Sequence, residues 1–148
     1  MPATAKGDML MSEYQPTPAP HGSTIPPIIG RLETEHGYPR LATLHDVAEF
    51  LTRPGFHCLF IPGDARRNLE TADAAVILPE LRLAFQNGFD CAIIDDAVEA
   101  QVREQYNALK TPGFVFFKES TLLGDIQKVR DWSEYLARIT HILSLKAA

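Results

Sequence analysis

The sequence predicts one α/β domain: a three-layer sandwich with a central mixed sheet, flanking helices and a C-terminal antiparallel hairpin. Three observations predict it. The runs "FHCLFI" and "FDCAII" are apolar at nearly every position, as strands covered on both faces are. Each is followed by a stretch with helical apolar spacing, the alternation that builds a parallel sheet. Near the C-terminus, "TPGFVFFKES" and "TLLGDIQKV" are extended segments joined through the polar turn Lys118-Glu119-Ser120, which reads as a hairpin.

The elements follow in order. Residues 1–26 are rich in Pro, Thr, Ala and Ser with almost no apolar period, and are expected to form a disordered tail ahead of a folded domain at 27–148. In "PPIIGRLETEHG", Pro27 suits a first helical turn, Ile28, Ile29 and Leu32 share a side, and Gly37 supplies a left-handed stop. "YPRLA" is a short extended piece. Thr43 opens a capped helix with Asp46 three residues on; Leu44, Val47, Phe50 and Leu51 form its buried stripe and Pro54-Gly55 ends it. The strand Phe56–Ile61 comes next. "AAVILPELRLAFQNG" is then helical through Val76, Ile77, Leu81 and Phe85, with Pro79 kinking it and Gly88 closing it. Phe89–Ile94 is the second apolar strand. Val98, Val102, Tyr106 and Leu109 give the following helix its apolar side. After the hairpin, "RDWSEYLARITHILSL" buries Trp132, Tyr135, Leu136, Ile139 and Leu143 behind an Asp131 cap.

Composition narrows the function. The chain has 148 residues, 45% hydrophobic and 22% charged, with a net charge of −5, enough for one substantial core. That acidity argues against nucleic acid, whose phosphates call for clustered Lys and Arg, and leaves room for a basic partner. No run approaches the roughly 20 apolar residues of a membrane span, and the N-terminal stretch lacks the pattern of a secretory signal. The expectation is a cytoplasmic protein with no membrane insertion. Cys58 and Cys91 both sit inside apolar strands and read as reduced core thiols. The histidines show no ligand spacing, and His57 reads as a core or edge histidine. The pair Asp95-Asp96 alone supplies too few ligands for a divalent cation. No cofactor, metal or catalytic residue is assigned.

The order strand, helix, strand, helix, Thr111-Pro112, strand, turn, strand, helix resembles the thioredoxin fold over about residues 38–145. In that fold the peptide bond before the corresponding proline is cis. The redox chemistry is not carried over, because "PGDARRNLET" stands where thioredoxins place Cys-X-X-Cys, and neither cysteine of this chain lies there. A narrower resemblance joins "FIPGDARRNLETADAAVILPELRLAF", "DCAIIDD", "TPGFVFF" and "LLGDIQKVRDWSEYL". Together these are similar to the thioredoxin-like expression proteins of uptake NiFe-hydrogenase operons, the HyaE/HupG type. The turn residues Asp64, Arg66 and Arg67, the aromatic strand Phe114–Phe117, and Gly124, Trp132 and Glu134 carry that similarity. It implies a non-catalytic chaperone for the hydrogenase small-subunit precursor, including its twin-arginine export signal, with other hydrogenase accessory proteins as further partners.

The candidate partner-binding residues are Asp64, Arg66, Arg67, Glu70, Asp73, Asp95, Thr111, Pro112 and Gly113. Asp64, Arg66 and Arg67 form a recognition loop at the sheet edge where open α/β folds bind ligands; the plainer reading is a turn with Asp64 capping backbone donors between solvated arginines. Among the acids from Asp90 to Glu104, Asp96 is expected to cap the following helix. Glu70, Asp73 and Asp95 are left to face a basic peptide through charge-assisted contacts. Thr111, Pro112 and Gly113 offer backbone for strand-wise peptide binding, or simply a turn the fold requires. Two rival functions are an oxidoreductase using Cys58 and Cys91, and a thioredoxin-fold scaffold for an unrelated partner.

Overall fold

A computed structural model describes residues 27–145. The tail predicted over 1–26, and the end of the domain at 146–148, lie outside the described residues. The element order is α1 (Pro27–Thr34), β1 (Arg40–Leu41), α2 (Leu44–Phe50), β2 (Phe56–Ile61), α3 (Glu70–Ala84), β3 (Phe89–Ile94), α4 (Asp96–Gln105), β4 (Gly113–Lys118), β5 (Thr121–Gln127) and α5 (Trp132–Ser144).

The apolar runs become the middle of the sheet because a strand buried on both faces needs partners on both edges. The strand order is β1-β3-β2-β4-β5. β3 runs parallel to β2 and to β1, whereas β4 is antiparallel to β2 and forms the predicted hairpin with β5. Glu119, with φ 53°, turns the hairpin. One face of the sheet packs against α1, α3 and α5 through Phe60, Phe89, Phe114, Phe116, Leu78 and Tyr135. The other packs against α2 and α4 through Leu59, Ile61, Val115, Phe117, Val47 and Val102. Each fully buried residue of this size contributes about 1.5–3 kcal/mol of transfer free energy, so the double-sided core dominates stability. His57 is buried beside the Phe50 ring, with Nε2 at 2.8 Å from the Arg53 carbonyl. It is a core histidine.

Several local features differ from the sequence expectation. Leu44, Val76 and Trp132 are exposed, because their helices bury faces turned away from them, and Leu109 is exposed because α4 stops at Gln105, ahead of the left-handed Asn107. On α5 the inner positions are Tyr135, Ile139 and Ile142. α3 begins at Glu70, four residues before the stretch "AAVILPELRLAFQNG" that announced it. Pro79 lies inside that helix, as predicted. Its stop is made by Gln86 and Asn87, both left-handed at φ 56° and 58°, ahead of Gly88. Asp131 occupies the N-cap of α5 without a side-chain hydrogen bond. Thr43, by contrast, caps α2 as predicted, its Oγ1 accepting from the Asp46 N–H at 3.0 Å.

Candidate functional site

The ends of β2 and β3 lie together at one edge of the sheet, since the two strands are parallel and in register. Each leads into a helix there. After β3 the transition is immediate: Asp95 caps α4, its carboxylate accepting from the Ala97 N–H at 2.9 Å. Asp95 and not Asp96 is therefore the cap, because α4 starts one residue earlier than its apolar spacing implies. Arg40 Nη1 lies 3.6 Å from the same carboxylate. Asp96 is exposed in the first turn.

After β2 the chain makes a longer excursion. Gly63 is left-handed at φ 78°, and a Cβ placed on it would fall 2.3 Å from Thr111 Oγ1. Only glycine permits both that conformation and that approach. Asp64 then organises one tight turn. Its carboxylate accepts from the Arg66 N–H at 3.0 Å, and its carbonyl accepts from the Arg67 and Asn68 N–H groups at 3.0 and 2.9 Å. The Arg66 N–H, followed by the neighbouring guanidinium groups, holds the Asp64 carboxyl below its ordinary range. Arg66 and Arg67 point outward, with side chains 80% and 88% exposed and Nε atoms 3.5 and 3.6 Å from Asp64. Exposed pairs of this kind add little stability, so nothing in the fold accounts for two adjacent arginines.

Long-range hydrogen bonds fasten this excursion. The Gly63 N–H donates to Glu99 Oε1 at 3.1 Å, and Thr71 Oγ1 donates to the Pro62 carbonyl at 2.7 Å. Asn68 Nδ2 donates to the Thr111 carbonyl at 2.7 Å. Glu70 Oε1 accepts from the Val129 N–H at 3.2 Å and lies 3.5 Å from Lys128 Nζ. The Val129 N–H is the main cause of a lowered Glu70 pKa. Burial instead raises the Glu99 pKa, against the Gly63 N–H and Arg103.

The Thr111-Pro112 peptide bond is cis. The Thr111 carbonyl also receives Lys128 Nζ at 3.3 Å, and the Pro112 carbonyl accepts from the Lys128 N–H at 2.7 Å. Gly113 pairs with Ile61 on one side and Gln127 on the other. An incoming strand at Thr111 thus has to displace Asn68.

The structure brings Asp64, Arg66, Arg67, Glu70, Thr111, Pro112 and Gly113 into one neighbourhood. Asp73 is exposed farther along α3, and Asp95 belongs to the adjacent α4 cap. Asn68, Thr71, Glu99 and Lys128 complete the site and were not singled out from sequence. Asn68 alone had a local signal: a side-chain oxygen just ahead of a helix, here accepting from the Glu70 N–H at 3.0 Å.

Cys58 and Cys91 are opposite one another in the β2–β3 register and fully or nearly fully buried on the α3 side of the sheet. Burial raises the Cys58 pKa, the reverse of what an attacking thiolate requires. The excursion after β2 contains neither of them.

Comparison with known proteins agrees with this geometry. The family model described as hydrogenase-1 expression protein HyaE matches residues 28–135. The chain belongs to the HyaE family of hydrogenase expression proteins. It is 56% identical over 133 residues to the hydrogenase expression/formation protein HupG of Rhodobacter capsulatus, covering 90% of this chain and 96% of that one. It is 42% identical over 120 residues to HoxO of Azotobacter vinelandii, covering 81% and 80%. Its fold matches the crystal structure of a HupG hydrogenase expression/formation protein from Rhodopseudomonas palustris with TM-score 0.51 and 34% identity, over 72% of this chain and 96% of that one. Mitochondrial thioredoxin 3 of Saccharomyces cerevisiae superposes with TM-score 0.60 at 14% identity, over 74% and 97%, which shows the shared fold alone. This HyaE-family chain is therefore a thioredoxin-like hydrogenase expression/formation protein.

Proposed function

We propose that the protein is a non-catalytic cytoplasmic chaperone that binds the NiFe-hydrogenase small-subunit precursor, with its twin-arginine signal, before export. One observation carries this reading. The β2–α3 junction, where a thioredoxin holds its redox cysteines, presents two exposed guanidinium groups on a fastened turn and no thiol. Guanidinium forks suit carboxylates and carbonyls of a polypeptide partner. Asp73, exposed beyond the turn, offers a carboxylate to the basic signal. Membership of a hydrogenase expression family supports the choice of partner.

The test is co-purification of the full chain with small-subunit precursor, precursor lacking its signal, and a twin-arginine precursor from an unrelated enzyme. Recovery of the hydrogenase precursor above the unrelated one, reduced in an Arg66→Ala/Arg67→Ala variant, is expected. Equal recovery of both precursors, or indifference to the double substitution, would sink the reading. An insulin-reduction assay separately checks non-catalysis: turnover above an uncatalysed blank contradicts it.

A further inference from the structure

The outward side of α3 carries apolar residues that the fold leaves unused. Leu69, Val76 and Leu83 are 86%, 55% and 66% exposed. Single exposed leucines are ordinary. These three recur every seven residues, so they line one side of the helix, opposite Ala74, Ala75, Leu78 and Leu81 in the core. Leu69 has helical dihedrals and extends the row by one position. The row spans about 21 Å at 1.5 Å per residue.

A second observation concerns the start of that row. The side-chain cap of α3 comes from Asn68, whose Oδ1 accepts from the Glu70 N–H at 3.0 Å. Leu69, next in the chain, serves neither that cap nor the core and stands 86% exposed.

Charge identifies the occupant. Asp73 and Glu80 are both exposed and also seven residues apart, each four residues beyond an apolar member of the row. Of the nearby cations, Arg82 is engaged, donating to the Phe89 carbonyl at 2.7 Å and lying 3.7 Å from Asp90, and Arg66 and Arg67 stand on the turn before the row begins. Carboxylates between the apolar residues repel an anionic membrane. A second copy, laid against the same row, would bring acids to acids. The row supplies one apolar residue per heptad, in step with the seven-residue repeat by which helices seat one another.

We infer that the outer face of α3 is a docking surface for a basic amphipathic helix, whose apolar stripe covers Leu69, Val76 and Leu83 and whose Lys or Arg residues pair with Asp73 and Glu80. This goes beyond the chaperone proposal, with which it shares only Asp73, and stands on the α3 face, whichever protein supplies the helix.

The test uses the full chain and two fluorescein-labelled synthetic heptad peptides with identical leucine stripes, one flanked by lysines and one by glutamates, read by fluorescence anisotropy. The basic peptide is expected to bind, the acidic one to bind at least about tenfold more weakly, and added salt to loosen the complex. Val76→Ser/Leu83→Ser should weaken the basic peptide about tenfold, and Asp73→Lys/Glu80→Lys should reverse the preference between peptides. All four positions are exposed, so circular dichroism of the variants should match the parent. Equal affinity for both peptides, affinity untouched by either double variant, or sedimentation showing that the row joins two copies of this chain would overturn the inference. Precursor capture plays no part in the readout, so failure here and failure of the chaperone reading are separate results.

Discussion

The two parallel strands at the middle of the sheet end side by side, yet their exits differ in kind. β3 passes into α4 through one residue, Asp95, whose own carboxylate caps the helix. β2 passes into α3 through Pro62–Leu69, an eight-residue excursion in which Asn68 caps the helix and groups from distant parts of the chain hold the turn. The first exit is a local solution that any α/β fold can use. The second is a platform, fixed from below by Glu99 and Thr111 and carrying Arg66 and Arg67 on its outer side. The contrast separates what the fold requires from what remains for function.

Four experiments break or sharpen that contrast, in descending order of effect. Gly63→Ala should cost about 2–3 kcal/mol, combining left-handed strain with the collision against Thr111. Urea unfolding measures it; a loss below about 0.5 kcal/mol would mean the platform does not depend on that close approach. Asn68→Ala and Asp95→Ala should each cost about 1 kcal/mol, the first by leaving a carbonyl short of a donor and the second by removing a cap. Their consequences then diverge. Only Asn68→Ala should speed amide exchange along the Asp64 turn and lower precursor capture, so identical exchange maps for the two variants would erase the distinction between the exits.

The third experiment follows acidity. Glu70 is held below the ordinary carboxyl range first by the Val129 N–H, and Asp64 first by the Arg66 N–H. A carboxyl more acidic folded than unfolded stabilises above its unfolded value, and that contribution disappears as pH falls through the folded value. Melting temperature should therefore drop on the acid side of the ordinary carboxyl range, less steeply in Glu70→Gln than in the parent. Parallel acid limbs would refute the assignment. Last, Arg66→Ala/Arg67→Ala should change unfolding free energy by no more than about 0.5 kcal/mol. A larger loss would make the arginines structural and remove them as recognition groups.

What the sequence revealed, and what it hid, follows the range of each interaction. The strands were legible because six apolar residues in a row have few alternatives to a covered strand. Thr43 was legible because its partner, Asp46, is three residues away. The hairpin turned where its polar residues said it would. The platform was legible only as a place where cysteines are missing. Its ties join Gly63 to Glu99, Asn68 to Thr111 and Glu70 to Val129, over sequence separations of 36, 43 and 59. No local pattern records such pairings. Val76 shares the apolar period of α3 and yet is exposed, because period alone does not say which side of a helix faces inward. Ala74 and Ala75, small enough to sit tightly on the sheet, take the positions that Val76 appeared to claim.

The doubly engaged Thr111 carbonyl has an implication for how a client of the proposed chaperone would be held. In this protein the main-chain acceptor beside the cis bond is already occupied by an amide and an ammonium group from the same molecule. A guest arriving there meets side chains before it meets backbone. Adhesion of that sort would read ionic character and contour, tolerate variation in the guest's residues, and slacken as the surrounding electrolyte grows more concentrated.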